Sequence, residues 1–188
     1  MLDALNNIDT TLFLAINGAH SGFWDTLMWH ISGKLQWIPL YMFIAGFLIY
    51  RFRVRAIWVI LSTILVITLA DQASVHLFKN VFERLRPCHE PALEGMVHLV
   101  RDHCGGRYGF LSSHAANTFG LAVFTALFIR NRWYRAGMIF WAALVAYSRV
   151  YLGVHYPGDV LAGAILGALI AQGVYLLVTS VKRLRLKN

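Results

Sequence analysis

Charged residues are scarce in this 188-residue sequence: Asp, Glu, Lys and Arg together make up 14% of it, whereas apolar residues make up 58%. This composition excludes an ordinary soluble domain, in which about a quarter of the residues are charged. The net charge of +8 would suggest nucleic-acid binding in a soluble protein. Here the basic residues lie in short segments between long apolar runs, where membrane topology accounts for them. We therefore predict an integral membrane protein that is surrounded by membrane lipids and binds no nucleic acid.

Basic residues are absent from the start of the sequence, since the first of them is Lys34. A cleavable signal peptide begins with a positively charged stretch, whereas this sequence opens with Asp3 and Asp9. We therefore expect no cleavable signal peptide, and membrane insertion through a segment that is retained.

Internal repeats, low-complexity segments and polar linkers are also lacking. Because no linker marks a boundary between domains, we expect residues 1–188 to form a single integral membrane domain.

Long apolar runs, by contrast, are abundant. Each of five runs can cross a hydrocarbon core of about 30 Å as a helix, if its flanking turns are included. They lie at about 35–50, 56–78, 113–130, 134–150 and 158–181. The predicted fold class is all-α, a polytopic membrane helical bundle with five spans and a possible sixth, N-terminal helix. In the last span, Gly163 and Gly167 form a small-residue pattern that favours close packing within the chain over a dimer contact.

The possible sixth helix lies near the N-terminus. Apolar residues recur at helical spacing over residues 2–16 while Asp9 lies on another face, which predicts a helix lying in the membrane interface. A break near Gly18 separates it from a second short amphipathic stretch at 23–31. The sequence leaves open whether residues 8–32 cross the membrane, dip into it or lie flat. The apolar residues of the first stretch are Leu2, Leu5, Ile8, Leu12 and Ile16.

Three strongly basic segments lie on one side of the membrane by span parity: residues 51–55, 130–135 and 182–187. They hold ten of the seventeen basic residues and none of the nine acidic ones. The positive-inside rule assigns that side to the cytoplasm. The opposite, external face then carries the connection 79–112 and the turn 149–157.

The stretch from Ser148 to Asp159 places polar side chains between two apolar spans, where they are costly and indicate a functional site. His155 and Asp159 are four positions apart. If Pro157 lies in the first turn of the following helix, the carboxylate can lie beside the imidazole. A histidine oriented by a carboxylate is a candidate nucleophile or base.

Two further groups fall on the same predicted face. Lys79 is followed after six residues by Arg86, and Ser112, Ser113 and His114 stand at the start of the next span. Arginine and lysine side chains bind phosphate oxygens, and a helix N-terminus at Ser112 would point backbone N–H groups at an anion. Together with Arg149, these residues predict a site for a phosphate ester.

The three groups form ordered blocks. In this order and spacing the sequence resembles the type 2 phosphatidic acid phosphatases, whose blocks are Lys, six residues, Arg-Pro; then Pro-Ser-Gly-His; then Ser-Arg, five residues, His, three residues, Asp. The first block (Lys79 to Pro87) and the third (Ser148 to Asp159) match fully. The second has Leu111 and Ser113 in place of the proline and glycine. The resemblance covers residues 79–159.

The resemblance implies a core of six helices and a role for each site residue. His155 would attack phosphorus and form a phosphohistidine, steadied by Asp159, and His114 would protonate the leaving oxygen and then activate water. The phosphate-binding residues would be Lys79, Arg86, Arg149, Ser112 and Ser113. Because these cations would neutralise the phosphoryl group, we expect no metal and no cofactor.

The predicted substrate is a lipid phosphate or diphosphate, hydrolysed at the external face of a bacterial inner membrane. Undecaprenyl diphosphate, a cell-wall lipid carrier, is the preferred candidate, and phosphatidylglycerophosphate, phosphatidic acid and lipid A phosphates are the alternatives. A transporter that binds phosphate would use the same cations, but it would not need the two histidines and Asp159. The sequence does not predict the oligomeric state.

Four other residues have more than one interpretation. Asp71, inside the second span, either pairs with a cation of the site or bonds to a neighbouring helix. His76 is more typical of packing or headgroup contact than of catalysis. For Cys88 and Cys104 in the external connection we favour a disulfide over free thiols, and free thiols over a zinc site.

Overall fold

The apolar runs fold into helices within residues 2–180, the part of the chain that the computed structural model describes. The basic segment 182–187 and the last residue of the fifth predicted span lie outside the described residues. The helices are α1 (Leu2–Gly18), α2 (Gly22–Ser32), α3 (Ile38–Phe52), α4 (Ala56–Ala73), the short α5 (Asn80–Phe82), α6 (Ser113–Ile129), α7 (Arg132–Tyr151) and α8 (Pro157–Ser180). No strand occurs among these residues, so the predicted all-α class is confirmed.

The centre of the bundle is α6, whose side chains are buried along its length. It packs against α4, α7 and α8. Two glycines of α8 make the contact with α6 close. A Cβ on Gly163 would lie 2.5 Å from the carbonyl oxygen of Ser112, and one on Gly167 would lie 2.9 Å from the backbone nitrogen of Gly120. The small-residue pattern therefore serves packing within the chain, as the sequence predicted.

The outer faces of the bundle helices are apolar. Large apolar side chains point away from the bundle on α3, α4 and α8, which is the pattern of helices that contact lipid rather than water. The most exposed include Met42, Phe43, Ile64, Leu161 and Leu169. Two helical stretches, Leu35–Phe82 and Pro157–Ser180, are long and apolar enough to cross a membrane, while the apolar helix Ser113–Ile129 is shorter. The count of five spans stays a prediction.

The stretch Leu35–Phe82 is two packed helices rather than one. Residue Arg53 adopts a positive φ of 53°, a short 3₁₀ turn follows at Arg53–Arg55, and α4 then packs on α3. At its other end, α4 continues into a π-helical segment, Ser74–Lys79. The wider π turn carries Lys79 to the end of the bundle from which the connection to α6 leaves. We call this end, formed by residues 83–112 and 152–156, the connection end.

Irregular backbone at the connection end is held by a covalent link and a short backbone pairing. Cys88 and Cys104 form a disulfide, which confirms the favoured interpretation of the two cysteines. Leu85 pairs with Tyr108 in an isolated antiparallel bridge. The connection is thereby folded back on itself, so that residues near its start and near its end lie side by side.

The N-terminal helices pack across the connection end. α1 contacts α7 and α8, and α2 contacts α7, with a break between them at residues 19–21. The inward face of α1 carries Phe13 and Asn17, both fully buried, and Asp9. Its apolar stripe faces outward instead, with Leu5, Ile8 and Leu12 at 57%, 57% and 50% exposure. The position of this stripe relative to the membrane interface stays a prediction.

Candidate active site

The loop between α7 and α8 places His155 and Asp159 together. Gly153 turns the chain with a φ of +80°, and Pro157 begins α8. The side chain of His155 is buried, and its Nδ1 lies 3.5 Å from Oδ2 of Asp159, whose side chain is completely buried in the first turn of α8. This is the arrangement that the four-residue spacing predicted.

One cavity of about 630 Å³ gathers residues from all three sequence blocks. Its walls include Lys79 from the first block, His114 from the second, and Arg149 and His155 from the third. The predicted residues that line it are Lys79, Arg86, Ser113, His114, Arg149 and His155. Side chains up to 76 positions apart in the sequence thus face one space, which suits the binding of a single anionic group.

The first helical turn of α6 contributes Ser113 to the cavity. Its hydroxyl oxygen accepts a hydrogen bond from Nζ of Lys79 at 2.7 Å and lies 2.6 Å from the hydroxyl of Ser74. Ser113 therefore fixes the lysine ammonium at the end of the π-helical segment. A glycine at this position, as in the family's second block, would provide no such acceptor.

Ser112 occupies a different position from the one expected of a phosphate ligand. It precedes α6 as its N-cap residue, but its side chain makes no capping hydrogen bond. Its backbone N–H donates to the carbonyl of Asp159 at 3.0 Å, and its side chain is fully buried outside the cavity wall. Ser112 thus connects α6 to α8, and we omit it from the proposed phosphate-binding set.

The electrostatic environment of His155 favours its neutral form. Burial lowers the pKa of His155 well below the ordinary value for histidine, and the positive charges of Arg86 and Arg149 lower it further. A neutral imidazole keeps a lone pair for attack on phosphorus. Arg86 is itself buried and donates to the carbonyls of Tyr108 and Cys104, at 3.3 and 3.2 Å.

The structure also brings in residues that the sequence did not assign to the site. Lys34 lines the cavity, and Arg149 donates a hydrogen bond to Ser32, so the segment between α2 and α3 forms part of the wall. Lys34 has no hydrogen-bond or ion-pair partner for its ammonium group among residues 2–180. Span parity was a signal for it, since Lys34 immediately precedes the first predicted span on the predicted external side.

Arg84 and Asp9 were missed as well. Arg84 donates to Asp159 at 2.8 Å and to Asp9 at 2.7 Å. The sequence offered one hint, because Arg84 stands two positions before Arg86 of the first block. Nothing local to Asp9 indicated a partner in the site.

The cavity continues from this polar end between α3 and α4. There its wall is apolar and aromatic, with Trp37, Tyr41, Ile44, Leu48 and Ile67 among the lining residues. A cavity that is cationic at one end and apolar at the other matches an amphipathic ligand such as a lipid with an anionic headgroup.

The remaining candidates lie at or outside the margin of the cavity. Asp71 lines it but accepts a hydrogen bond from Asn117 of α6 at 3.2 Å, so the bond to a neighbouring helix is the interaction present. His76 is exposed and lies 3.1 Å from the Gln72 side chain, away from the cavity. The zinc alternative for the cysteines loses its ligands, because both sulfurs are in the disulfide.

Comparison with known proteins agrees with the three blocks. The model of the PAP2 superfamily matches residues 55–183. The chain is 42% identical to the lipid A 4'-phosphatase of Bacteroides thetaiotaomicron over 169 residues, 89% of this chain and 75% of that protein. It is 33% identical to the undecaprenyl-diphosphatase of Sulfolobus acidocaldarius over 135 residues, 72% of this chain and 60% of that protein.

The fold has a counterpart among solved structures. The crystal structure of a transmembrane PAP2 type phosphatidylglycerolphosphate phosphatase from Bacillus subtilis superposes with a TM-score of 0.74, over 97% of this chain and 90% of that one, at 24% identity. At this identity the likeness concerns the fold. Family, relatives and fold agree: the chain belongs to the PAP2 superfamily and is a membrane lipid phosphatase, a hydrolase of phosphoric esters.

Proposed function

We propose that this phosphatase removes a phosphate group from lipid A, through a phosphohistidine on His155, at the external face of a bacterial inner membrane. The observation that carries the proposed chemistry is one cavity that has two histidines and four cationic side chains at one end and an apolar wall at the other. The choice of lipid rests on the 42% identity to a lipid A 4'-phosphatase over most of the chain. It replaces the preference for undecaprenyl diphosphate that the sequence alone suggested.

In the first step, Nε2 of His155 attacks the phosphorus atom. The bond from phosphorus to the sugar oxygen breaks, and His114 donates a proton to the departing oxygen. His155 then carries the phosphoryl group and a positive charge, which the buried carboxylate of Asp159 stabilises. The separation of 3.5 Å from Nδ1 to that carboxylate is long, and we expect it to shorten as the charge develops.

In the second step, water replaces the histidine. His114 accepts a proton from a water molecule, whose oxygen attacks phosphorus, and the bond between phosphorus and nitrogen breaks. Inorganic phosphate leaves and His155 returns to its neutral form. The same histidine thus serves as acid in the first step and as base in the second.

Three cations would hold the phosphoryl oxygens in both steps. Lys79 and Arg86 line the cavity together with Arg149, whose Nε is buried without a hydrogen-bond partner among the described residues. A phosphate oxygen would accept a hydrogen bond from that N–H. The backbone N–H groups of Ser113 and His114, which have no partner within α6, would also donate to phosphate oxygens. These donors act in fixed positions, so that the charge of the transition state meets cations that need not rearrange.

Lys34 would contact a second part of the headgroup. Its ammonium lines the same cavity as His114, and it is not neutralised by a carboxylate of residues 2–180. A lipid with a second anionic group beyond the reacting phosphate would give Lys34 a partner. The hydrocarbon chains would lie against the apolar wall formed by α3 and α4. There Ile64 lines the cavity and is also exposed on the outer surface of the bundle.

The proposal is tested with purified protein in detergent. Phosphate release is measured from lipid A, undecaprenyl diphosphate, phosphatidylglycerophosphate and phosphatidic acid, each with and without a chelator. We expect the highest kcat/KM on lipid A and no loss of rate in chelator. A clear preference for another lipid contradicts the choice of substrate, and a strict requirement for added magnesium contradicts the mechanism.

The covalent step needs its own experiment, since a phosphate transporter would bind the same headgroup without turning it over. Lipid labelled with ³²P is mixed with protein and quenched in alkali, which preserves phosphohistidine. We expect label on the parent protein and none on His155→Ala, while His76→Ala, a histidine outside the cavity, behaves as the parent. Equal labelling of the parent and His155→Ala would exclude His155 as the nucleophile.

A further inference from the structure

The N-terminal helix reaches the candidate nucleophile through a chain of ionic contacts. We propose that Asp9 and Arg84 are positioning residues that hold the carboxylate of Asp159 toward His155 and keep its negative charge available to the imidazole. The inference rests on the roles proposed above for Asp159 and His155. Asp9 lies outside the segment matched by the family model, so the motifs do not assign it a role.

Arg84 is the centre of this arrangement. One nitrogen of its guanidinium donates to Oδ1 of Asp159 at 2.8 Å, and another donates to Oδ2 of Asp9 at 2.7 Å. The guanidinium also lies 4.1 Å from the centroid of the Tyr156 ring. A planar group with two carboxylates and a ring around it has a single favourable orientation.

Asp9 completes the contact from the side of α1. Its Oδ1 accepts the backbone N–H of Gly158 at 2.7 Å, in the first turn of α8, where the N–H has no partner within the helix. A Cβ on Gly158 would lie 2.8 Å from Oδ2 of Asp9, so the glycine leaves room for this approach. The carboxylate therefore anchors the α8 N-terminus and Arg84 at once.

The orientation of Asp159 follows from these contacts. Oδ1 is held by Arg84, while Oδ2 accepts the backbone N–H of Tyr156 at 3.0 Å and faces Nδ1 of His155. With both oxygens engaged, the carboxylate plane cannot rotate without losing a charged hydrogen bond. The face presented to the imidazole is thereby fixed before substrate binds.

The charge balance gives Asp9 a second effect. Asp159 paired with Arg84 alone would be a neutral pair, with little attraction for the imidazolium that forms on His155. Two carboxylates around one guanidinium leave one net negative charge. Asp9 thus offsets the positive charge of Arg84, so that the field of Asp159 acts on His155.

The test is Asp9→Asn, which keeps the size of the side chain and removes its charge. We expect kcat to fall about 10- to 100-fold, which is the range seen when a residue that orients a metal-bound histidine is removed. KM should stay nearly unchanged, because the substitution does not alter the phosphate-binding cations. The acid limb of the kcat profile should move to lower pH, since a lost negative charge lowers the pKa of His155. Arg84→Lys, which keeps the charge but cannot hold both carboxylates in one plane, should also lower kcat.

The matched control is Asp25→Asn. Asp25 links α2 to Tyr151 of α7 at 2.8 Å and to His98 of the connection end at 3.0 Å, and it has no contact with Asp159. If Asp25→Asn lowers kcat as much as Asp9→Asn, a general loosening of the N-terminal segment explains the effect, and the inference is overturned.

A double-mutant cycle gives the decisive result. If Asp9 acts through Asp159, the change Asp9→Asn has little further effect on kcat in an Asp159→Asn background. Effects that multiply independently contradict the inference. If His155→Ala retains full activity, the proposed mechanism itself is wrong. If instead Asp9→Asn has a normal kcat while His155→Ala is inactive, only the role proposed here for Asp9 is wrong. Thermal unfolding in detergent identifies any variant that does not fold. If Asp9→Asn does not fold, Arg84→Lys takes its place in the cycle.

Discussion

Replacing Asp159 by asparagine isolates the charge that the proposed mechanism assigns to the phosphohistidine. The substitution keeps the shape of a side chain that is completely buried. It removes the negative charge 3.5 Å from Nδ1 of His155, and it leaves in place the positive charge of Arg84, which lies 2.8 Å from Oδ1 of Asp159.

The expected magnitude follows from these distances. At an effective dielectric constant of about 20, a pair of unit charges at this separation from His155 interacts by about 5 kcal/mol. Arg84 opposes part of that attraction and Asp9 restores some of it, so we expect about 2 to 4 kcal/mol to be lost from the transition state. This corresponds to a decrease in kcat of about 30- to 1,000-fold.

Rapid-quench measurement of a single turnover separates this effect from product release. Formation of labelled phosphoenzyme should slow by the same factor in Asp159→Asn, with the amount of bound lipid unchanged. Asp25→Asn, which removes a partly buried carboxylate from α2, should leave the rate within about threefold of the parent. A rate for Asp159→Asn within that same range would show that no charge on the aspartate is needed and would refute the reasoning.

Three further measurements test other parts of the structure. Lys34→Ala should raise KM about 5- to 10-fold for a lipid with a second anionic group, which corresponds to the loss of about 1 kcal/mol for one charged contact. For a lipid with a single phosphate, KM should rise much less. An equal rise in KM for both lipids contradicts the contact assigned to Lys34. Gly167→Val should lower the free energy of unfolding in detergent by about 1 to 3 kcal/mol, measured as a lower Tm, because the valine side chain would meet the backbone of α6. Gly173→Val should not lower the Tm, because there is open space around the Cβ at that position. Burial, and after it the charge of Arg86, lower the pKa of His155, so the ring stays neutral below the ordinary histidine pKa. The rate of phosphoenzyme formation should therefore persist as the pH is lowered from about 7 to about 5.5. A rate that falls to half near pH 6.5, about the ordinary histidine pKa, contradicts this.

The helices could be predicted because apolar runs are visible in a sequence without any tertiary information. The bounds of α6 and α7 fall within a few residues of the predicted spans, and the breaks at Gly18 and Arg53 coincide with a glycine and a basic turn. The π-helical segment Ser74–Lys79 could not be predicted, because its composition is that of an ordinary helix end and its register is set by packing.

The candidate site was predictable to the extent that its residues occur in blocks. Lys79, His114 and His155 belong to motifs whose spacing is specific, and span parity places them on one face from the sequence alone. Asp9 was assigned to the polar side of an interfacial helix. Its partner Arg84 lies 75 positions away, and a single sequence contains no record of such a pairing.

The π-helical segment sets a condition on sequence change near Lys79. Each residue of an α-helix advances the chain by about 100° around its axis, and a π turn spreads one extra residue over nearly the same rotation, so a change that restored α winding at constant length would turn the lysine by roughly that angle. Its ammonium would leave the hydroxyl of Ser113 and point toward the hydrocarbon. A homologue with ordinary α winding here would therefore keep its cation in place only if its chain were one residue shorter between Ser74 and Lys79.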